Sequence, residues 1–315
     1  MGMKVLITGC QGFIGKNLAQ HLKKQGHHVT GIDKKLKVGD PVYVDEFVGH
    51  DMEQRISIEN DFDRVYHLSA DVPNSKNVGS AQLGTGRSNP IQTIQAMDFA
   101  AKNNSHFIYA VSAMIYNTDY QGHNGPDLNE DEHIWPAQPA GNIYGMEKLY
   151  NMQLAQEYAK SYNMKVALPI FHAMYGPHCD IFENSKVVAA TCLKILKADD
   201  PGEIEIWGDG TQLRSFCYID DLMVGLDKLI ENDVQIPINM GSDEAITMTA
   251  LAEKLIKISG KKIEKKYLPA GPAGCMRRNS DNTKIMKLTG WKPNYPLEEG
   301  LRNTYEYVKS QVLTK

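Results

Sequence analysis

A glycine-rich turn follows the first apolar run of the chain. The run KVLIT leads into TGCQGFIG, which places Gly9, Gly12 and Gly15 at a GxxGxxG spacing. Such glycines permit a tight strand-to-helix turn, let the backbone approach a pyrophosphate and let the helix pack on the strand. The N-terminus of the following helix then presents its partial positive charge to the phosphates. The spacing therefore predicts a βα unit that binds a dinucleotide.

Apolar runs alternate with helical patterns through the first half of the chain. The runs are KVLIT, HHVTGID, RVYHLSA, HFIYAVS and KVALPIF, and the first predicted helix covers about residues 13–25. Continuous apolar strands separated by helices indicate a parallel sheet that is covered on both faces. We therefore expect an α/β fold with a Rossmann-type doubly wound parallel sheet. The polar segment 71–90 is rich in Gly, Ser and Asn, and it is predicted to be a mobile loop after a strand.

The pattern of elements changes after Gly176, where a smaller interleaved C-terminal α/β lobe is expected. Predicted helices cover about 184–197, 220–231 and 296–312, with short strands at GEIEIWG and IPINM. The expected domains are a dinucleotide-binding domain and a substrate-binding lobe. The first comprises residues 1–175, with 215–242 returning to it, and the second comprises 176–214 and 243–315.

Charge and cysteine content exclude several classes of protein. The net charge of −4 and the pI of about 6.2 give no basic surface typical of nucleic-acid binders, so no nucleic-acid partner is expected. No apolar run approaches the length of about 18 residues that a membrane span needs. The five cysteines are widely spaced and form no CxxC pair, which indicates reduced thiols in a cytoplasmic protein without a metal site.

Two carboxylates indicate which dinucleotide binds. Asp33 ends the second apolar run, where its carboxylate can accept hydrogen bonds from an adenosine ribose and would repel a 2′-phosphate. This favours NAD over NADP, although Lys34 and Lys35 follow directly. Asp51, after another short extended run, is a candidate partner for the adenine amino group or a solvent-facing loop residue.

The segment GNIYGMEKLYNM places Tyr144 and Lys148 four residues apart, on one face of a helix. A lysine beside a phenol is expected to lower the pKa of the hydroxyl, so that the tyrosinate can act as a base. Ser112 stands in VSAMIY at the end of a preceding strand. Together with the glycine turn, these three residues predict a dehydrogenase-type site.

The chain resembles the extended short-chain dehydrogenases/reductases of the nucleotide-sugar epimerase/dehydratase type. The similarity runs from TGCQGFIG through VYHLSA, VSAMIY, YGMEK and MYGP to RSFCYIDD and LTGWKP. It implies that Tyr144 is the base, that Lys148 also holds the nicotinamide ribose and that Ser112 binds the reacting oxygen. The implied cofactor contacts are Gly9, Gly12, Phe13, Ile14, Gly15, Asp33, Asp51, Met52, Leu68, Ser69, Ala70, Tyr144 and Lys148.

Within that family the chain is most similar to the GDP-mannose 3,5-epimerases, in IWPAQP, EIWGDGTQLRSFCYIDD and RRNSDNTKI. Arg214 and Arg278 are therefore expected to contact the diphosphate of a GDP-linked sugar, since a guanidinium offers paired donors to phosphate oxygens. Each could instead form a surface salt bridge, and Arg277 is a weaker candidate. Lys186 falls near a lysine that acts as an acid/base in those epimerases, and it is expected to contact the substrate.

Met114 occupies the position of the cysteine that exchanges protons in the 3,5-epimerases and of a glutamate in the dehydratases. A thioether has no exchangeable proton and is a weak acceptor. The resemblance then implies oxidation of carbon 4 to a 4-keto sugar, either as a net 4-dehydrogenase or as a 4-epimerase that returns the hydride. A 3,5-epimerase that uses Cys179, His178 or Lys186 instead, or a non-catalytic NAD-sensing protein, are the other hypotheses.

The family also implies a homodimer, through the helix at about 89–102 and the helix that carries YGMEKLYNM. Tyr150, Met152 and Leu154 could form that contact or belong to the core. Ile170 and Ala173 depart from the family pattern before MYGP, where an arginine and an asparagine are usual, so the resemblance carries over to the nucleotide more firmly than to the sugar.

Overall fold

The computed structural model describes residues 2–34, 36, 42–59, 61–72, 83–134, 143–183, 185–269 and 274–313. Its strands are β1 (Lys4–Thr8), β2 (His28–Asp33), β3 (Glu46–Gly49), β4 (Arg64–His67), β5 (His106–Tyr109), β6 (Val111–Ser112), β7 (Val166–Phe171), β8 (Ala173–Tyr175), β9 (Gly202–Trp207), β10 (Leu213–Tyr218), β11 (Pro237–Met240), β12 (Ala245–Thr247), β13 (Ile263–Leu268) and β14 (Arg277–Arg278). Its α-helices are α1 (Phe13–Lys24), α2 (Leu83–Lys102), α3 (Ile143–Tyr162), α4 (Val187–Lys197), α5 (Ile219–Glu231), α6 (Met248–Ser259), α7 (Thr283–Thr289) and α8 (Leu297–Leu313).

The large sheet is parallel and has the order β11, β7, β5, β4, β1, β2, β3, with β6 also paired to β7. The chain reverses direction along the sheet between β1 and β4, which is the switch point where α/β sheets bind ligands at the carboxyl ends of the strands. The predicted Rossmann-type fold is confirmed. The glycine turn and the segment after β4 both lie at this edge.

Side chains of the sheet point alternately into two buried clusters, one on each face. Val5 and Ile7 of β1 belong to the cluster that also contains residues of α1, α4, α5, α6 and α8, whereas Leu6 belongs to the cluster with residues of α2 and α3. This alternation follows from the two-residue period of a strand. Because both faces are covered by helices, the strands are apolar along their whole length, as the sequence indicated.

Two smaller sheets lie in the second half of the chain. One has the order β12, β10, β14, with β8 also paired to β10, and the other pairs β13 with β9. β11 lies in the large sheet beside β7, within the segment expected to return to the first domain. The expected boundary at 214/215 falls inside β10, whose pairing strands belong to the smaller sheet, and the domain limits stay a prediction.

The segment 71–90 is only partly a loop, so its prediction was wrong for residues 83–90. α2 begins at Leu83 and contains Pro90, although proline in a helix interior normally costs a hydrogen bond. Thr85, Ser88 and Asn89 are buried against neighbouring elements, and this packing outweighs the cost of the proline and of two glycines. Residues 73–82 lie outside the described part of the chain.

Among the described residues, no helix is long and apolar enough to cross a membrane. The five cysteines are all free thiols, and Cys10, Cys192 and Cys217 are buried.

Candidate functional site

The glycine turn joins β1 to α1 without room for side chains. Gly9 has a φ of +72°, and a Cβ there would lie 2.7 Å from the amide nitrogen of Ser69. A Cβ on Gly15 would lie 2.2 Å from the carbonyl oxygen of Gly9. Gly12 is the N-cap of α1, and the first turn of α1 contains no acidic residue. The turn thus combines close backbone approach with a helix N-terminus, and it fits a dinucleotide pyrophosphate.

We expect Gly15→Ala to destabilise the protein by more than about 1 kcal/mol, because the added methyl group would meet backbone atoms that cannot move aside. The same change should abolish dinucleotide binding. Gly84→Ala is the matched control, since a Cβ at Gly84 in α2 meets no atom of the described residues within 4 Å and alanine favours helix. Thermal unfolding and NAD titration check both variants; equal unfolding temperatures would contradict the close packing at Gly15.

Asp33 is fixed at the end of β2, beside the glycine turn. Its carboxylate oxygens accept from the amides of Gln11 at 2.9 Å and Lys34 at 2.8 Å. The Nζ of Lys34 lies 3.7 Å from the carboxylate of Asp51, which also accepts from the amide of Glu53. The ammonium of Lys34 therefore lies near Asp51, and the negatively charged carboxylate of Asp33 lies next to the glycine turn. The ribose contact of Asp33 stays a prediction.

The segment after β4 lies directly against the turn. The hydroxyl of Thr8 on β1 lies 3.2 Å from that of Ser69, and it lies 2.8 Å from Nδ1 of the buried His67. Nε2 of His67 contacts Thr93 at 3.1 Å, and burial lowers the pKa of His67 to about 3. A neutral histidine thus holds β1, β4 and α2 together beneath Leu68, Ser69 and Ala70, the residues expected to line the cofactor.

The three predicted catalytic residues lie together at the carboxyl end of the sheet. The Ser112 side chain forms a hydrogen bond with Tyr144 and accepts from the amide of Met114 at 3.3 Å. Lys148 donates to the carbonyl of Ala110 at 2.9 Å, and its Nζ lies 5.8 Å from the centroid of the Tyr144 ring. β6 carries Ser112, and the first turns of α3 carry Tyr144 and Lys148, so the i, i+4 spacing placed the pair as predicted.

Burial dominates the electrostatics of this group. It raises the pKa of Tyr144, nearby Glu147 raises it further, and the hydrogen bond from Ser112 acts in the opposite direction. Burial also lowers the pKa of Lys148, which the carboxylate of Glu147 opposes. The expected lowering of the phenol pKa is therefore wrong for the protein alone, because desolvation disfavours the tyrosinate. A protonated Tyr144 can donate to an oxygen, and it becomes a base only where further positive charge lies beside it.

Met114 lies two residues after Ser112 and contacts the second half of the chain. Nη1 of Arg278 lies 3.1 Å from its sulfur, and Nε of the same guanidinium donates to Gln121 at 2.8 Å. Arg277, the next residue along β14, forms an ion pair with Asp127 instead. Arg278 is thus the member of the pair that contacts Met114, two residues after Ser112. Gln121 was not identified from the sequence, because no motif marks a lone glutamine 157 residues before its partner.

Arg214 and Arg278 stand side by side on neighbouring strands. β10 pairs with β14 so that the two arginines are in register, and Arg214 donates to the carbonyls of Leu213 and Cys275. Burial lowers the pKa of Arg214, and the charge of Arg278 adds to this effect. Two partly buried guanidinium groups repel each other unless an anion lies between them. The arrangement fits a phosphate-bearing ligand at the lobe side of the site.

The loop after β8 holds the remaining candidates. His178 lies 2.9 Å from the amide of Gln20 on α1 and packs on the rings of Tyr43 and Tyr307. Cys179 packs against the core, and burial raises the pKa of its thiol to about 12. Lys186 is the N-cap residue of α4, and burial lowers the pKa of its amine. His178 and Cys179 thus fasten the loop to α1 and the core, where a neutral thiol is a poor acid/base.

No group of three or more His, Cys, Asp or Glu side chains in the described ranges is arranged to hold a metal ion.

Comparisons with known proteins agree with this geometry. Residues 5–241 match the NAD dependent epimerase/dehydratase family. The GDP-mannose 3,5-epimerase of Arabidopsis thaliana is 34% identical over 317 residues, which cover 98% of this chain and 83% of that protein. The UDP-glucuronic acid 4-epimerase from Bacillus cereus, solved with UDP-glucuronic acid and NAD, has a TM-score of 0.81 and 27% identity, covering 98% of this chain and 100% of that one.

The UDP-glucose 4-epimerase of Thermotoga maritima, solved with UDP-glucose, shares the fold, with a TM-score of 0.83 at 24% identity over 98% of this chain and all of that chain. The part of the chain that matches the family, residues 5–241, contains the glycine turn, Asp33 and the group of Ser112, Tyr144 and Lys148. The chain therefore belongs to the NAD dependent epimerase/dehydratase family, within the extended short-chain dehydrogenases/reductases, and is an NAD-dependent enzyme.

Proposed function

We propose that this enzyme oxidises carbon 4 of a nucleotide sugar and releases the 4-keto sugar, acting as a net 4-dehydrogenase. The best candidate substrate is a GDP-linked hexose or heptose of manno configuration. The similarity to a GDP-mannose 3,5-epimerase supports the GDP sugar. The adjacent Arg214 and Arg278 support a diphosphate-bearing ligand, since guanidinium groups match phosphate oxygens.

Three residues of the site have separate roles at the sugar hydroxyl that is oxidised. Ser112 binds the oxygen on carbon 4 and Tyr144 takes its proton, while Lys148 keeps a positive charge beside the phenol and holds the nicotinamide ribose. When bound, NAD⁺ would supply the hydride acceptor and a positive charge in the site. Such charge opposes the effect of burial on Tyr144, which lets the phenol accept the proton.

The contact between Met114 and Arg278 carries the proposal. A 4-keto sugar has acidic C–H bonds at carbons 3 and 5, and an enzyme that inverts these carbons needs an acid/base beside them. Here a thioether occupies that place, and Arg278 points at its sulfur. Neither the thioether nor a permanently protonated guanidinium can accept a carbon-bound proton at neutral pH. The site therefore has the residues that oxidise carbon 4, but it has no acid/base at the position of Met114 to invert carbons 3 and 5.

A 4-epimerase is the second candidate, and the likeness to the UDP-glucuronic acid 4-epimerase favours it. Such an enzyme also begins by oxidising carbon 4, and it needs no acid/base at the position of Met114. A 3,5-epimerase that uses Cys179 or His178 is disfavoured by the contacts that hold these residues to the core and to α1. Lys186 then serves as a substrate contact.

We propose that the enzyme is a cytoplasmic homodimer that pairs through α2 and α3. These helices pack on each other, and α3 exposes Ile143, Met146 and Tyr150 along one side. Met152, in contrast, is a core residue that is 2% exposed, and Leu154 packs against the core.

We expect the absorbance of NADH to appear and persist when the purified protein is mixed with NAD⁺ and one manno-configured GDP sugar. The panel should contain GDP-, UDP- and dTDP-sugars, with each nucleotide diphosphate alone as the control. Persistent NADH distinguishes net oxidation from epimerisation, in which the hydride returns to the same sugar. A sugar that changes configuration at carbon 4 without net NADH would contradict the dehydrogenase and establish the 4-epimerase.

A further inference from the structure

A buried carboxylate lies next to the acid/base pair on α3. Glu147 is 4% exposed, and each of its carboxylate oxygens accepts from a side-chain amide at 2.8 Å. The donors are Asn89 on α2, which is 1% exposed, and Asn151 on α3, which is fully buried. A buried charge is costly unless such partners satisfy it, and here both oxygens have one.

The backbone of Asp71 fixes the orientation of the Asn89 amide. The N–H of Asp71 donates to Oδ1 of Asn89 at 2.7 Å, and Nδ2 of Asn89 donates to the carbonyl of Asp71 at 3.1 Å. A backbone N–H can only donate, so Nδ2 must be the atom that faces Glu147. Glu147 therefore has to accept at the oxygen that faces Asn89. Burial raises the pKa of Glu147, whereas the charge of Lys148 and the hydrogen bonds from Asn89 and Asn151 favour the ionised carboxylate, which accepts both of these bonds.

Glu147 lies among groups whose protonation matters for the reaction. Lys148 is 4% exposed, and a buried ammonium loses its proton easily unless a negative charge compensates it. The titratable groups around it are Lys148 and Tyr144 on α3, Tyr109 on β5 and His67 on β4; α2 contributes the neutral Asn89. His67 is neutral at ordinary pH, so within this group Glu147 is the one negative charge that opposes the charge of Lys148.

We propose that Glu147 is a positioning residue for the Tyr144 and Lys148 pair: its carboxylate keeps Lys148 protonated beside Tyr144 and, through Asn89, holds the backbone of Asp71 to α3. The second half of this role connects the acid/base helix to the segment after β4 that lines the cofactor. This inference rests on the proposed function, because it assigns a purpose to the protonation of Lys148. Asn89 is the shared link, since one side chain contacts both Glu147 and the backbone at Asp71.

Glu147→Gln tests the charge. Removing a negative charge lowers the pKa of every nearby group, so both limbs of the kcat/KM against pH profile should move to lower pH, by about one unit. A purely structural role would lower the profile without moving it. Glu157→Gln is the matched control, because Glu157 is exposed on the same helix and pairs with Lys160. Glu147→Asp retains the charge, and its limbs should stay near those of the wild type.

A second readout needs no sugar substrate. NAD⁺ carries a positive charge on its nicotinamide ring and NADH does not. Glu147→Gln should therefore lower the ratio of the affinity for NAD⁺ to the affinity for NADH by about tenfold, measured by calorimetry. Should Glu147→Gln fail to fold, Glu147→Ala removes the same charge with a smaller side chain, and it should move the ratio of the two affinities in the same direction. An unchanged ratio in a folded variant overturns the inference. A changed ratio without any oxidised sugar would instead refute only the proposed reaction.

Discussion

Replacing Tyr144 with Phe is expected to lower the rate of NADH formation by about 10² to 10⁴-fold, the usual contribution of a positioned acid/base. The change removes the one hydroxyl that Ser112 holds at the carboxyl end of the sheet. It leaves the ring, which is buried on the inner side of α3. NAD binding should persist, because the glycine turn and Asp33 lie on other elements. Stopped-flow absorbance with the sugar that gives NADH measures the loss.

Tyr162→Phe provides the control for this variant. Tyr162 is the last residue of the same helix, is 60% exposed and has no contact with Ser112 in the described structure, so the loss of its hydroxyl should leave turnover within about twofold of the wild type. Turnover that survives Tyr144→Phe would show that the phenol does not move the proton. The protein would then be better described as a non-catalytic NAD-binding protein on the same fold.

The fold could be predicted because two local signals agree. The glycine spacing requires backbone contacts that only a βα turn supplies, and the apolar runs require a sheet that is covered on both faces. The start of α2 could not be predicted, since Pro90, two glycines and several polar residues read locally as loop. Burial of Asn89 and its neighbours decides this element, and burial depends on residues far away in sequence.

The site could be predicted only where its residues share an element or a family motif. Ser112, Tyr144 and Lys148 meet because a strand end and one helix face bring them together. The contact of Arg278 with Met114 joins residues 164 positions apart and depends on how β14 pairs with β10. The resemblance identified Arg214 and Arg278, but it did not show that the two arginines lie opposite each other on β10 and β14.

Electrostatics was the least predictable part. Spacing indicated that Lys148 lowers the pKa of Tyr144, but it could not show that the phenol is buried and that a carboxylate lies nearby. From the sequence, Glu147 is expected to be a solvent-exposed residue of a helix. In the structure it is buried, with hydrogen bonds from Asn89 and Asn151. Polar residues in a helix pattern are usually exposed, and Glu147, Lys148 and Asn151 are buried exceptions next to the proposed chemistry.

Replacing Met114 with Cys is expected to create proton exchange at carbon 3 or 5 of the sugar, where the wild type has none. Once carbon 4 is a ketone, these C–H bonds are acidic, and a thiolate beside them can remove the proton. The guanidinium of Arg278, which contacts the Met114 sulfur, would stabilise that thiolate and lower the pKa of the new thiol. The variant therefore gains a charged base without any further change in the site.

Incubation in D₂O followed by mass spectrometry of the recovered sugar measures this exchange. Met286→Cys is the matched control, since Met286 is 47% exposed on α7, away from the helices proposed to pair in the dimer. Deuterium in the sugar treated with the wild type would mean that another residue already exchanges these protons, and the enzyme would be a 3,5-epimerase with a relocated acid/base. A 4-keto sugar that forms in Met114→Cys but takes up no deuterium would mean that carbons 3 and 5 lie away from this sulfur. In either case Met114 would not be the residue that limits the reaction to carbon 4, whereas exchange confined to Met114→Cys would show that one thioether separates the dehydrogenase from the epimerase.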